Sequence, residues 1–203
     1  MKIICIGLNY SDHAHEMGKP LPQEPLVFLK ADSSLLKKNK PFFIPDFSGN
    51  IHYEAEIVLR ICRLGRAIAE KYSYRYYDSI TIGIDMTARD LQASLSSSGM
   101  PWEIAKSFDG AAPLGEFIPV DDTVDVNNIS FSLEKNGDIV QRGNTSKLIF
   151  SFDRIISYVS HFFTLKTGDL IFTGTPSGVG PVRRNDRLTG YIGDRKVIDF
   201  LVK

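Results

Sequence analysis

The sequence predicts a mostly-β α+β fold, in one domain that spans residues 1–203. Short apolar runs of strand length recur along the chain, and only residues 145–163 carry a long run of apolar side chains at helical spacing. Residues 129–142 add a hairpin, because alternating side chains flank an Asn-Gly pair. A chain of 203 residues is long enough to bury one substantial core.

The elements follow one another with short connections. The predicted strands cover residues 3–8, 26–30, 52–62, 81–87, 129–142 as a hairpin, 170–172, 186–192 and 196–202. The predicted helices are a short turn over residues 11–17 ended by Gly18, a surface helix over 66–77, a helix from Arg89 that frays at 96–99, and the helix over 145–163.

The composition is that of an ordinary globular protein. Lys and Arg number 24, as do Asp and Glu, so the net charge is zero and neither a nucleic acid nor a membrane surface is expected as a partner. A neutral chain repels its copies little, which makes a homo-oligomer easy to form. No apolar run reaches the length of a membrane span, no secretion signal is recognised, and Cys5 and Cys62 fit buried thiols, so the expected location is the cytoplasm.

Two glutamates open the apolar run of residues 57–62. Glu54 and Glu56 are two residues apart, so in a strand their side chains point to the same face. Two crowded carboxylates repel each other unless a cation neutralises them or one of them keeps a proton. Two interpretations follow, a metal site or an edge strand whose acids face water.

A third carboxylate interrupts the strand predicted over residues 81–87. Asp85 is costly to bury alone, which makes it the third candidate ligand. Arg89 and Gln92, three residues apart on the next helix, present donors on one face close to it. A ligand set of oxygens without Cys or suitably spaced His favours a hard cation, Mg²⁺ or Mn²⁺, over Zn²⁺.

A histidine and a glutamate lie three residues apart on the first helical turn. His13 and Glu16 are therefore neighbours, and the carboxylate can fix the imidazole tautomer and raise its basicity. The pair is a candidate general base, although a solvated ion pair has the same spacing. His15 lies on another face and is interpreted as a surface residue.

Three further features bear on a possible site. Lys30 ends an apolar strand and either extends to solvent or meets an anion, the first being the commoner case. Trp102 is interpreted as a core residue rather than a ligand contact. Residues 173–180 contain three glycines and two threonines, so backbone N–H groups can approach an oxyanion closely, but no Gly-Lys-Ser/Thr follows as in a P-loop.

The motifs occur in a specific order along the chain: GLNYSDH at 7–13, HYEAE at 52–56, DMTARDLQ at 85–92, PW and KSFD within 101–109, and TGTPSGVG at 173–180. In this order they resemble the fumarylacetoacetate hydrolase family, in particular its short acylpyruvate hydrolase and oxaloacetate decarboxylase branch. The resemblance runs from about residue 3 to the C-terminus. Residues 30–32, Lys-Ala-Asp, depart from it where many members have Lys-Pro.

The resemblance implies a mixed β-sandwich roll that assembles as a homodimer. It assigns the Mg²⁺ or Mn²⁺ ligands to Glu54, Glu56 and Asp85. It assigns catalysis to the water-activating pair His13 and Glu16 and to Lys106, which contacts the substrate and the developing charge. It assigns substrate binding to Lys30, Arg89, Gln92 and Thr175.

The implied reaction is metal-dependent hydrolysis of a C–C bond in acylpyruvate-type 2,4-dioxo acids, and decarboxylation of oxaloacetate needs the same enolate stabilisation. The expected partner is thus a small anionic 2-oxo acid. One alternative is an enol–keto tautomerase or isomerase acting on oxaloacetate or a related 2-hydroxy-dienoate. Another is a non-catalytic β-domain stabilised by Ca²⁺, against which the His13–Glu16 pair and Lys106 argue, because a structural ion needs neither a base nor an interior cation.

Overall fold

The computed structural model describes residues 1–36, 40–121 and 123–203, which form the predicted mostly-β α+β fold. The strands are β1 (Ile3–Gly7), β2 (Leu26–Lys30), β3 (Leu35–Leu36), β4 (Ile51–Tyr53), β5 (Ala55–Ile61), β6 (Tyr77–Ile84), β7 (Thr87–Ala88), β8 (Ala112–Pro113), β9 (Ile118–Pro119), β10 (Ser130–Lys135), β11 (Asp138–Asn144), β12 (Leu170–Phe172), β13 (Gly180–Pro181), β14 (Arg187–Ile192) and β15 (Arg195–Leu201). The helices are α1 (Ser11–Glu16), α2 (Arg89–Ser97), α3 (Glu103–Lys106) and α4 (Phe152–Phe162), with 3₁₀ helices at Asp32–Ser34, Glu70–Arg75 and Thr145–Lys147. None of the helices in the described ranges is long and apolar enough to cross a membrane.

A six-stranded mixed sheet forms the centre of the fold, in the order β2-β1-β12-β5-β6-β9. Only β1 and β12 run parallel, with Ile3 opposite Leu170, and the other neighbours are antiparallel. Nearly every residue of β5 and β6 is buried. Because both faces of these strands are covered, their sequences are mostly continuous runs of apolar residues rather than alternations of apolar and polar residues.

A second, antiparallel sheet packs against the first, in the order β11-β10-β14-β15. The predicted hairpin and the two closing strands supply all four of its strands, so both predictions are confirmed. Asn136 and Gly137 have φ of 58° and 92°, as a tight hairpin turn requires at both positions. Leu133 and Leu188 of this sheet share one core with Ile57 and other residues of the central sheet, which gives the layered arrangement of a β-sandwich roll.

Two predicted helices differ from the observed elements. The helix expected over residues 145–163 begins only at Phe152, because Ser151 caps it by accepting the N–H of Arg154 at 3.2 Å. The helix expected over residues 66–77 is wrong apart from the 3₁₀ turn Glu70–Arg75. Tyr77 instead begins β6, where pairing with Ile61 in the sheet prevails over the local helical pattern.

One end of the central sheet collects strand ends that are far apart in sequence. Parallel β1 and β12 end side by side, and antiparallel β5 begins at the same edge. β6 ends there too, since Ile84 lies opposite Ala55. The segments that adjoin these ends are α1, Glu54, Asp85 and residues 173–179, which we call the 173–179 loop. Four segments that contain candidate site residues therefore meet at this edge of the central sheet.

Candidate active site

Three buried carboxylates meet at this edge of the sheet. One oxygen each of Glu54, Glu56 and Asp85 can be chosen so that all three atoms lie within 4.8 Å of one another. Glu54 occupies the break between β4 and β5, and Asp85 follows the last residue of β6. The three residues are at most 5% exposed, so the interpretation of an edge strand with acids facing water is wrong.

Three cations surround the triad. The Lys106 ammonium bridges Glu54 Oε2 at 2.7 Å and Asp85 Oδ2 at 2.9 Å. Arg89 forms an ion pair with the other oxygen of Glu54, and Lys30 Nζ lies 2.8 Å from Asp85 Oδ1. Because α3 supplies Lys106, α2 supplies Arg89 and β2 supplies Lys30, the charge of the triad is balanced by three separate elements.

Burial and charge act in opposite directions on the two glutamates. Burial raises the pKa of Glu54, but the positive charges of Lys106 and Arg89 outweigh it and lower that pKa to about 2. Burial, and then the charges of Asp85 and Glu54, raise the pKa of Glu56 well above its ordinary value, although the Gly174 N–H donates to it at 2.7 Å. Within the described ranges no lysine or arginine lies within 4.0 Å of the Glu56 carboxylate.

The triad has the donor chemistry of a site for a hard divalent cation. Its donors are carboxylate oxygens, and Glu56 is a buried acid whose negative charge lacks an ion-pair partner in the described structure. Asp85 Oδ1 is buried and has no donor directed at it in hydrogen-bonding geometry, despite the short distance to Lys30. A divalent cation at this position would satisfy both groups.

Replacing Glu56 with glutamine is expected to stabilise the metal-free protein. The amide oxygen still accepts the Gly174 N–H, while the repulsion by Glu54 and Asp85 disappears. Because the folded-state pKa of Glu56 is raised, the carboxyl costs stability above its ordinary pKa of 4.5, and this cost vanishes below that value. In EDTA at pH 7 the melting temperature should rise by roughly 2–4 °C, which corresponds to a gain of about 1 kcal/mol in the free energy of unfolding. The rise should be smaller at pH 4.

The exposed acid Glu116, paired with Arg195 at 3.6 Å, provides the matched control for Glu56→Gln. Glu116→Gln should change the melting temperature by less than about 2 °C at either pH, since exposed ion pairs contribute little. Glu56→Gln should also lose the stabilisation that Mn²⁺ gives the wild type. An unchanged or lower melting temperature of Glu56→Gln in EDTA at pH 7 would contradict the repulsion inferred here.

The predicted His–Glu pair is present on α1. His13 Nδ1 lies 3.0 Å from Glu16 Oε2, and the other Glu16 oxygen accepts the Gly178 N–H at 3.1 Å. Since a carboxylate only accepts, Nδ1 carries the hydrogen and Nε2 of the neutral ring keeps its lone pair. His13 is buried and lines the cavity beside the triad, whereas His15 is exposed, as predicted.

A cavity of about 380 Å³ connects the triad with the pair. Its polar wall includes Arg89 and Gln92, whose Nη1–Oε1 distance is 2.6 Å. Its apolar wall includes Phe28 and Trp102, which pack edge to face at 6.1 Å. The remaining lining residues are Ile6, Gly7, Leu8, His13, Met17, Lys19, Leu26, Glu54, Glu56, Asp85, Ala93, Ser96, Ser97, Lys106 and Thr175. The volume and the mixed walls suit a small ligand with an anionic end.

Two interpretations of single residues change with the structure. Lys30 is 3% exposed and meets Asp85 and the carbonyls of Met86 and Lys106, so the expectation that it extends to solvent is wrong. It does not line the cavity, and its position fits orientation of Asp85 rather than the substrate contact implied by the family. Trp102 lines the cavity and is not a core residue.

Two buried amides near the site were missed. Asn9 donates to the carbonyls of Phe150 at 3.1 Å and Thr173 at 2.8 Å, and accepts the Phe150 N–H at 2.8 Å. Gln141 of β11 makes contacts with the triad strand and the 173–179 loop. The position of Asn9 inside the GLNYSDH motif is a signal from which its role near the site could have been predicted. For Gln141 the only such signal was a polar residue on the buried face of a hairpin.

A buried acid triad balanced by cations and facing a His–Glu base across one cavity is the site of a metal-dependent enzyme rather than of a metal-stabilised binding domain. Residues 2–200 match the fumarylacetoacetate (FAA) hydrolase C-terminal family. The chain therefore belongs to the fumarylacetoacetate hydrolase family, and the resemblance seen in its motifs is confirmed.

Three similar proteins have more specific names. The chain is 41% identical over 190 residues to the mitochondrial oxaloacetate tautomerase of Bos taurus, covering 94% of this chain and 86% of that protein. It is 43% identical over 183 residues to the mitochondrial oxaloacetate decarboxylase of Dictyostelium discoideum, covering 90% and 84%. The crystal structure of fumarylpyruvate hydrolase from Pseudomonas aeruginosa, in complex with Mn²⁺ and pyruvate, superposes with a TM-score of 0.93 at 36% identity, covering 100% of this chain and 89% of that one.

Proposed function

We propose that this protein is a divalent-metal-dependent enzyme that interconverts the enol and keto forms of oxaloacetate. One observation carries the proposal: the acid triad and the His13–Glu16 pair face the same cavity, so a substrate held at the triad lies beside a base. Similarity to two oxaloacetate enzymes supports the substrate. Lys19, an exposed cavity-lining cation, offers charge for the second carboxylate of a dicarboxylic acid.

The residues around the triad bind and orient the 2-oxo acid. A divalent cation held by the triad supplies Lewis-acid polarisation of the 2-oxo group. Arg89 and Gln92 present donors toward the substrate carboxylate from the polar wall of the cavity. Lys106 keeps Glu54 ionised and places its ammonium where negative charge develops on the 2-oxygen of the substrate.

His13 moves the proton in the proposed reaction. Its Nδ1–H is held by Glu16, so Nε2 accepts a proton from carbon 3 of the keto form. The proton held on Nε2 then passes to the oxygen on carbon 2, which gives the enol and restores the neutral ring, and the reverse sequence gives back the ketone. The net change is the migration of one proton between carbon 3 and this oxygen, with no bond between heavy atoms broken.

Hydrolysis of acylpyruvates is the second candidate function, and the size of the cavity favours it. A cavity of about 380 Å³ is larger than a four-carbon acid needs, and Phe28 and Trp102 offer an apolar wall for an acyl group. His13 would take a proton from water, which attacks the distal carbonyl. The C3–C4 bond then breaks, pyruvate leaves as its enolate, and the acyl group becomes a carboxylic acid. Similarity to fumarylpyruvate hydrolase supports this candidate.

The finer features of the enzyme belong to the same proposal. Mg²⁺ or Mn²⁺ is the proposed ion, because the ligand set contains only oxygens and a similar structure contains Mn²⁺. A homodimer is the proposed assembly, supported by the zero net charge of the chain. A single catalytic domain and a cytoplasmic location stay predictions.

A parallel assay of the purified protein with Mg²⁺ or Mn²⁺ tests the proposed function. We expect loss of the enol absorbance of oxaloacetate well above the rate in a Glu54→Ala blank. Pyruvate release from oxaloacetate and loss of acetylpyruvate are followed beside it. Metal-dependent consumption of acetylpyruvate without enol–keto conversion of oxaloacetate would contradict the tautomerase proposal and support the hydrolase. Equal rates in the wild type and the blank for all three reactions would contradict both candidates.

A further inference from the structure

A glutamine from the second sheet reaches the metal-binding edge of the first. Gln141 lies on β11, in the predicted hairpin, and is 2% exposed. All of its side-chain polar atoms are engaged. The oxygen accepts the Ala55 N–H at 2.9 Å, and the nitrogen donates to Thr175 Oγ1 at 2.9 Å and to the Pro176 carbonyl at 3.0 Å.

The contact with Ala55 fixes the spacing of two proposed ligands. Ala55 separates Glu54 from Glu56 and is the first residue of β5, directly after the break that follows β4. Its N–H is held by Gln141, and its carbonyl accepts Thr175 Oγ1 at 2.9 Å. Because Thr175 also accepts from Gln141, these three hydrogen bonds form a closed ring around the backbone between the two glutamates.

The contacts with the 173–179 loop connect the triad to the proposed base. The Gly174 N–H at the start of this loop donates to Glu56 at 2.7 Å. The Gly178 N–H near its end donates to Glu16 at 3.1 Å. The two bonds from the Gln141 nitrogen hold the middle of the loop between these points. One carboxamide thus determines the positions of groups that touch both halves of the site.

We propose that Gln141 is a positioning residue that sets the geometry of the metal ligands and of the His13–Glu16 pair. The inference rests on the proposed metal-dependent function and assigns no contact with the substrate. An amide suits the position because one acceptor and two donors are required side by side, and each buried polar group there would be costly without its partner. Groups that orient metal ligands typically change metal affinity or activity by 10–100-fold when they are removed.

The test replaces Gln141 with methionine, which has a similar length but neither donor nor acceptor. We expect Mn²⁺ affinity, measured by calorimetry on the metal-free protein, to fall by roughly 10–100-fold. Amide hydrogen exchange at Ala55 and Gly174 should become faster in the metal-free variant, because the ring of hydrogen bonds is lost. Turnover of oxaloacetate should fall as well, after correction for metal occupancy, since the loop also holds Glu16.

Two controls separate positioning from general stability. Val197→Ala shortens a buried side chain on β15 and should lower the melting temperature without changing Mn²⁺ affinity. Arg142→Met changes the exposed neighbour of Gln141 on β11 and should change neither the melting temperature nor the Mn²⁺ affinity. Wild-type Mn²⁺ affinity in Gln141→Met, together with a lower melting temperature, would overturn the proposal and leave Gln141 a packing residue.

Gln141→Glu serves as the second variant. It is compared with the wild type if Gln141→Met does not fold. It keeps the acceptor for Ala55 but loses both donors to the 173–179 loop. We expect Mn²⁺ binding tighter than in Gln141→Met and a lower turnover than in the wild type. Wild-type turnover in Gln141→Glu would overturn the inference alone, whereas absence of Mn²⁺ binding in the wild type would overturn the proposed function with it.

Discussion

Asp85→Asn is expected to lower turnover of every accepted 2-oxo acid by at least about 10²-fold, because loss of a group that only orients a metal ligand already costs about 10–100-fold. Asp85 offers one of the three triad oxygens and also pairs with Lys30 and Lys106. Its replacement therefore removes a proposed ligand and leaves two buried ammonium groups short of a partner. Steady-state assays over a range of Mn²⁺ concentrations measure the loss.

Asp85→Asn should also unfold more easily, and this effect has to be separated from loss of the ligand. Removing one partner of a buried ion pair costs about 3–5 kcal/mol, which corresponds to roughly 6–20 °C in a chain of this length. Assays are therefore run well below the melting temperature of the variant. Asp194→Asn changes an exposed acid in the turn between β14 and β15 and should leave the turnover and the melting temperature unchanged. More than a tenth of wild-type activity in folded Asp85→Asn at saturating Mn²⁺ would exclude Asp85 as an essential ligand.

His13→Gln is expected to separate the reactions that need proton transfer from the one that needs only enolate stabilisation. Enol–keto conversion and acetylpyruvate hydrolysis should each fall by about 10²–10⁴-fold, the usual contribution of a positioned base. Decarboxylation of oxaloacetate should fall by less than about 10-fold, since carbon dioxide leaves without a base. The three rates are measured on the same preparation at saturating metal.

His15→Gln provides a matched control on the same helix. His15 is exposed and faces away from the cavity-lining His13, so its replacement should leave all three rates within about twofold of the wild type. Equal losses of all three reactions in His13→Gln would contradict the division of labour, and would indicate that His13 supports substrate binding rather than proton transfer.

Much of the site could be predicted because its groups break local patterns. Glu54, Glu56 and Asp85 are charges within otherwise apolar runs, and a buried charge needs a partner, so the sequence already pointed to a common cation. His13 and Glu16 are neighbours through helical spacing alone, and the structure places them 3.0 Å apart. The helix α4 and the hairpin of the second sheet were predictable for the same reason, since their side-chain periods are local properties.

The remaining features depend on partners that are distant in sequence. Lys30 meets Asp85, and Gln141 meets Ala55, in each case more than fifty residues away. Solvent exposure is the commoner state of a lysine at a strand end, so local pattern favoured the wrong interpretation of Lys30. Trp102 lines a cavity whose opposite wall belongs to other elements. The strand start at Tyr77 depends on pairing with Ile61, which competes with a helical pattern that the sequence alone displays.

The parallel pairing of β1 with β12 determines when the site can form during folding. Residue 3 lies opposite residue 170, and the 173–179 loop that holds Glu56 and Glu16 follows β12 directly. Contacts between residues so far apart form slowly, because a long loop must close before they stabilise anything. A growing chain on the ribosome therefore has no complete site until β12 and the 173–179 loop have emerged. The three carboxylates lie much earlier in the chain, within residues 54–85, so the loop that holds Glu56 and Glu16 is the last part of the site to be made.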